Sequence, residues 1–251
     1  MNDFVLTLGV HVGVIALWAL FISLLTRQRV HASWLIAAIV VFLIHSSVLM
    51  HGRQILEIAH AQALLDFFHK SQWNWPGKIL SLATTLVMTA MAGLVVKDIW
   101  TRTGFTLRQA AGSVLPALLV AALLIGASAA LEYKAHDGTD ISLDRLLFQA
   151  IAPGVDEEPM FRGLLLLCLA GALGFEGPRF LGVSLGGLVS TILFGAVHGL
   201  SFQDGAFQVS WIAIAATGAT GFGLLWIRER TGSLVLPILT HNAINVAISF
   251  F

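Results

Sequence analysis

Charge is what this chain has least of. Asp, Glu, Lys and Arg make up 11% of its 251 residues, against about a quarter in an ordinary soluble domain. The 14 basic residues balance the 14 acidic ones, which leaves no basic excess for a nucleic-acid surface, so no nucleic-acid partner is expected. The single cysteine, Cys168, excludes an internal disulfide and any cysteine-based zinc cage. There is no Gly-Lys-Ser/Thr phosphate loop, no paired-aspartate protease motif, no Gly-x-Ser-x-Gly elbow and no His-Glu-x-x-His helix. Internal repeats and low-complexity tracts are missing too. What the chain has in abundance is apolar side chains: 57% hydrophobic, with a mean hydropathy of +0.85. That excludes a disordered chain and argues against a soluble globular domain.

A membrane helix needs about 20 mostly apolar residues. Residues 4–25, 33–50, 79–96, 109–131, 180–203, 205–227 and 231–251 carry no Asp, Glu, Lys or Arg, and 146–175 carries them only at Asp156, Glu157, Glu158 and Arg162. Continuous apolar runs are helices, because lipid offers backbone groups no other partner, and they are not the alternating segments of a barrel. The expected fold is therefore all-α: a polytopic membrane helix bundle of about eight transmembrane helices. We read one integral membrane domain over 1–251, with four spans in 1–131 and the polar motifs in 146–251. Segment 51–78 mixes apolar and polar residues and ends at Trp73, Trp75 and Pro76, the pattern of an interfacial helix beside an aromatic belt. The leader Met1-Asn2-Asp3 lacks a basic residue, so the first span reads as a retained anchor. With the N-terminus outside, loops assigned to the inner face hold eight Lys and Arg and those of the outer face five, Lys78 among them; both termini are expected to be non-cytoplasmic.

An ionisable group within a span costs roughly 2.5–3.5 kcal/mol on insertion scales, so each requires a reason. Glu158 and Arg162 are separated by one helical turn, share a face and can pair. Glu157 points about 100° away, is left without that partner, and is free to act as a general base. Pro153, Gly154 and Pro159 surround it and are expected to break the span and make room for water or substrate. Two more spans bring polar groups: Phe194-x-x-x-His198, and His241-x-x-x-Asn245 with both side chains on one face. Singly, a histidine at a span end is an interface residue and a His–Asn pair is glue between helices. Jointly, a carboxylate, two imidazoles and an amide are what water activation and oxyanion stabilisation require, in an active-site cavity within the membrane. The same residues would also suit ion passage or partner binding in a transporter or a non-catalytic scaffold; a transporter would show a second, related half, which is missing here. Gly182 with Gly186, Gly195 with Gly199, and Gly218, Gly221 and Gly223 read as close-packing sites. His11 and His45, far from the acidic motif in sequence, read as packing histidines.

Glu157-Glu158-x-x-x-Arg162, then Phe194-x-x-x-His198, then His241-x-x-x-Asn245 resembles the pattern of the CPBP family (CAAX protease and bacteriocin-processing, Abi), in the same order. The resemblance covers about a third of the chain, and the first four spans contribute nothing to it. It implies a glutamate-dependent intramembrane endopeptidase in which Glu157 and His198 activate the attacking water. His241 and Asn245 would stabilise the oxyanion, while Glu158 and Arg162 support the geometry. It implies no cofactor; the alternative is a zinc ion held by Glu157, His198 and His241, since two His and a Glu suffice as ligands. The expected partners are the lipid bilayer and a membrane-anchored protein or peptide substrate. The expected location is the plasma (inner) membrane of a prokaryote. A prenyl group on the substrate does not follow from these motifs.

Overall fold

The computed structural model describes residues 3–135 and 141–251; Met1 and Asn2 of the leader lie outside them. Every one of the eight apolar stretches carries a helix. In chain order the elements are α1 (Asp3–Thr26), α2 (Ala32–Ile58), α3 (Gln62–Phe68), α4 (Trp75–Ala92), α5 (Ile99–Arg102), α6 (Val114–Ala135) and α7 (Leu143–Glu158). A π-helical turn (Pro159–Leu164) then leads directly into α8 (Leu165–Leu173). After it come a hairpin of β1 (Arg179–Phe180) and β2 (Val183–Ser184), α9 (Leu185–Gly199), a hairpin of β3 (Leu200–Gln203) and β4 (Ala206–Val209), α10 (Trp211–Thr231) and α11 (Val235–Ile248). Four helices, α1, α2, α6 and α10, are long and apolar enough to cross a membrane, and α9 and α11 are shorter apolar helices. The fold is an all-α membrane helix bundle.

The helix starts follow local chemistry. Asn74, Ser142, Ser184 and Ser210 each precede a helix and accept a backbone N–H from its first turn, at 3.0–3.3 Å, which satisfies donors the helix itself leaves orphaned. Pro76 follows Asn74 in the first turn of α4, where its missing N–H costs nothing. α10 stops at Gly232, whose φ of +75° closes the helix in the left-handed region.

Three boundaries differ from the sequence expectation. α2 continues past residue 50 to Ile58, bending at His51 (φ −104°, ψ 15°), whose Nδ1–H donates to the Ser47 carbonyl at 2.9 Å. The segment expected to be interfacial is thus the tail of α2 followed by α3, which buries none of its residues, and by Trp73 stacked on Phe148. The spans expected to begin at 180 and 205 begin instead with hairpins. Gly182 lies in the first of these with φ +86°. It is a turn glycine and not the packing partner of Gly186, which by itself lets α9 approach the α8 backbone: a Cβ there would fall 2.3 Å from the amide nitrogen of Ala170.

The core forms around the π turn and α8. Leu165, Leu169 and Leu173 are fully buried against Ile15 of α1, Phe42 of α2 and Leu193 of α9. The span that holds the acidic motif is therefore the central helix of the bundle, enclosed by neighbours on most sides. Gly195 and Gly199 seat α9 on α10: a Cβ at Gly195 would lie 2.7 Å from the carbonyl oxygen of Ile214, and one at Gly199 would lie 2.6 Å from that of Ser210. Gly218 faces open space. Gly195→Leu should therefore lower the thermal midpoint in detergent and the yield of folded protein, while Gly218→Ala should melt at or slightly above the parent temperature, because alanine is favoured over glycine in a helix by about 0.5–1 kcal/mol. Equal melting of the two variants would show that the α9–α10 approach is not tight.

Candidate active site

The acidic span does not break at its prolines. Pro153 sits inside α7, and Asn242 of α11 reinforces the helix there: its Oδ1 accepts the Gly154 N–H at 2.8 Å. Gly154 is needed for that approach, since a Cβ would lie 2.5 Å from the same oxygen. Pro159, which has no N–H to donate back to the preceding turn, opens the π turn instead of a gap. A π turn widens the helix and misaligns its carbonyls. Two of these are taken up from outside: the Ser190 hydroxyl donates to the Phe161 carbonyl at 2.8 Å, and Arg228 Nε donates to that of Arg162 at 3.1 Å. The expected break is thus a bulge, held by α9 and α10, immediately after Glu157 and Glu158.

Glu158 and Arg162 are completely buried and pair at 3.1 Å, as their spacing indicated. The guanidinium also donates to the Gly221 carbonyl at 3.1 Å and lies 4.1 Å from the ring centroid of Phe194. Gly221 is therefore a slot for Arg162: a Cβ would fall 2.9 Å from its Nη2. The same Glu158 oxygen accepts from His241 Nδ1 at 2.8 Å. One carboxylate thereby fixes both the arginine and the imidazole.

Glu157 is not left without a partner. Lys78, in the first turn of α4, donates from Nζ to Glu157 Oε1 at 2.6 Å and to Asp156 Oδ2 at 3.1 Å. Asp156 also accepts from the Ser81 hydroxyl at 2.6 Å and bonds His45 Nε2 at 3.1 Å. Lys78 is thus a largely buried counter-ion on a helix, not an outer-loop charge, and His45 is a polar partner, not packing. The physical reason is that two adjacent carboxylates away from water need a cation, and Arg162 is already committed to Glu158. His11 is likewise engaged, donating to the Leu200 carbonyl at 2.8 Å. Sequence reasoning missed Lys78, Asp156, His45, Ser81 and Asn242. Asp156, a charge inside a span, and His45, a histidine inside one, were visible but given no partner; Lys78 had left a signal too, because Asn74-x-Pro76 marks a helix start, which places Lys78 inside the span.

Glu157, His198, His241 and Asn245 line one cavity of about 440 Å³, together with Phe194, Thr220 and residues of α6 and α7. Glu157 and His198 also line a smaller cavity, about 180 Å³, on the α2 side. Glu157 uses Oε1 for Lys78; its Oε2 is buried, has no hydrogen-bond partner among the described residues, and lies 3.9 Å from His241 Nε2. His198 Nδ1 is 2.7 Å from the Phe194 carbonyl. A carbonyl only accepts, so Nδ1 carries the proton, and in the neutral ring Nε2 keeps its lone pair. No direct hydrogen bond joins Glu157 to His198; they border the same two cavities. Phe194 ties the set together, its ring meeting those of His198 at 4.6 Å and His241 at 6.0 Å between centroids. Among the described residues, no three His, Cys, Asp or Glu side chains are grouped to hold a metal ion.

Residues 140–247 match a protein-family model described as type II CAAX prenyl endopeptidase Rce1-like. The match covers less than half of the chain, and over it the chain is similar to CAAX proteases. It contains all three motifs and stops short of the first four spans, so Lys78 and His45 come from outside it. Neither the curated proteins nor the solved structures include a match. The CAAX-protease match supports an intramembrane endopeptidase in general, and together with the four apolar helices it marks an integral membrane protein.

Removing one member of a buried ion pair typically costs about 3–5 kcal/mol, because the other charge is stranded. Arg162→Ala and Lys78→Met should each lower the thermal midpoint in detergent by several degrees. Lys78→Met combined with Glu157→Gln should recover part of the loss, since one stranded carboxylate is removed. Parent-like melting of Lys78→Met would show that the pair contributes nothing to the fold.

Proposed function

We propose that this chain hydrolyses a peptide bond of a membrane-anchored protein or peptide by activating water between Glu157 and His198. The observation that carries the reading is that Glu157, whose Oε2 has no hydrogen-bond partner among the described residues, and His198, whose Nε2 keeps its lone pair, line one cavity together with His241 and Asn245. In this reading Lys78 holds Oε1 and so aims Oε2, while water binds Oε2 and Nε2. As the water oxygen attacks the scissile carbonyl, its proton passes to the Glu157–His198 pair, which returns it to the departing amine. Asn245 Nδ2 and His241 Nε2 donate to the oxyanion. Because Nδ1 of His241 faces Glu158, Nε2 donates only when the ring carries both protons. Glu158 and Arg162 act through His241, as positioning residues. The family match also makes a prenylated peptide the first substrate to try, and a peptide anchored by an apolar helix the second.

The test is cleavage of both reporter peptides by purified protein in lipid–detergent micelles. Glu157→Gln should abolish turnover with the thermal midpoint largely retained, and His198→Ala should do nearly the same. The double variant should be little worse than either, as expected of residues acting as a unit. His241→Ala and Asn245→Ala should each lose about 10²–10³ in kcat, the usual loss for one oxyanion donor. Phenanthroline should leave cleavage intact; inhibition reversed by added zinc would instead make Glu157, His198 and His241 metal ligands. Cleavage that survives Glu157→Gln would defeat both mechanisms and favour the transporter or scaffold.

A further inference from the structure

His198 is followed by Gly199 and then at once by the β3–β4 hairpin, which turns through Asp204 and Gly205, both at positive φ (52° and 77°). Ser210 N–H donates to the Gly199 carbonyl at 2.7 Å at the open end of this ladder. Bonded and non-bonded pairs alternate along an antiparallel ladder. Leu200↔Val209 and Phe202↔Phe207 are therefore the non-bonded pairs, and these residues turn their N–H and C=O outward. On the β3 side those groups are taken by α1: the Phe202 N–H donates to the Thr7 hydroxyl at 2.8 Å, and the Leu200 carbonyl accepts from His11. On the β4 side, no group among the described residues pairs with the outward N–H and C=O of Phe207 and Val209, and the whole strand is exposed. A cavity of about 430 Å³ lies along this hairpin and reaches His198, with Ser201, Gln208 and Val209 in its wall.

We propose that the outer edge of β4 is a substrate-binding subsite, on which the substrate backbone adds as an extended strand through the N–H and C=O groups of Phe207 and Val209, with its scissile bond directed toward His198. An unpaired edge is a template for extended peptide and for little else, because its spacing of donors and acceptors matches only another strand. One edge is sealed by α1 and the other is open, and the Val209 end of the open edge shares a cavity with His198. The chemistry selected is an extended peptide on either side of the cleaved bond, held by its main chain, with sequence tolerance at the side chains. The proposal rests on the peptidase reading of Glu157 and His198.

The two are separated by measuring cleavage and binding on one set of probes: a lipid-anchored fluorescent peptide, N-methylated at one position at a time. Cleavage is followed with parent protein in vesicles, and binding by anisotropy with the Glu157→Gln variant. Strand addition predicts losses at every second position, roughly three- to tenfold for each bond removed, with small effects between. It also predicts that Val209→Pro, which deletes an outward N–H while sparing the bonds to β3, weakens binding more than Val209→Ala, which keeps it. Cleavage without a period of two overturns the subsite and leaves the peptidase. A period of two in binding with no cleavage by the parent overturns the peptidase and keeps the edge. Neither binding periodicity nor cleavage overturns both.

Discussion

Three consecutive carboxylates, Asp156, Glu157 and Glu158, lie in a span whose surroundings are almost entirely apolar, and the site depends on how their charge is balanced. In water three acids in a row are unremarkable; away from it each must have a cation or a set of donors within bonding distance. Arg162, one turn further along the same helix, serves Glu158. Lys78, from a helix far away in sequence, serves Asp156 and Glu157 together. The α4–α7 and α10–π-turn contacts are thus constrained by electrostatics as well as by packing. α4 must present Lys78, and α10 must offer a glycine where Arg162 passes.

Unequal balancing is what separates the roles of the two glutamates. Glu158 is enclosed, bonded to Arg162 and to His241 through one oxygen. Glu157 is bonded on one oxygen only, and the residue lines a cavity. Adjacent positions on a helix point about 100° apart, so one residue can be built into the structure while its neighbour faces a substrate. The π turn that follows adds to this: with two carbonyls satisfied by Ser190 and Arg228, the widened backbone is held in place, and Glu157 projects from a rigid element. A catalytic group held within about half an ångström of its working position needs that kind of support.

The CAAX-protease match ends where α1 to α6 lie, yet these helices do more than surround the site. α4 supplies Lys78 and Ser81, α2 supplies His45, and α1 seals the inner edge of the β3–β4 hairpin through Thr7 and His11. In the proposed mechanism the motifs carry the reacting atoms. The first half of the chain sets which carboxylate oxygen is free and which strand edge is open. Chains sharing only the matched segment could therefore differ in how the glutamate is held and how substrate is bound.

The sequence by itself determined the class of the fold and named four residues, Glu157, His198, His241 and Asn245, that line one cavity. Long runs without charge dictate helices in lipid, and i, i+4 spacing dictates the Glu158–Arg162 pair, because both are rules about neighbours along the chain. The helix starts were not read from the apolar runs, which placed α9 and α10 at 180 and 205, although Ser184 and Ser210 mark them locally, since a capping oxygen acts on the next turn only. The partner of Glu157 was not legible. Lys78 is 79 residues away, and which of several lysines meets a buried acid is decided by how helices pack. Nor was the fate of Pro159: a proline in a helix can kink, break or bulge it, and here Ser190 and Arg228, from two other helices, decide for the bulge by satisfying the carbonyls it displaces. The open β4 edge has the same origin. Asp204-Gly205 announces a turn, but only the placement of α1 against one strand leaves the other free, because a backbone edge is closed by whatever tertiary neighbour reaches it.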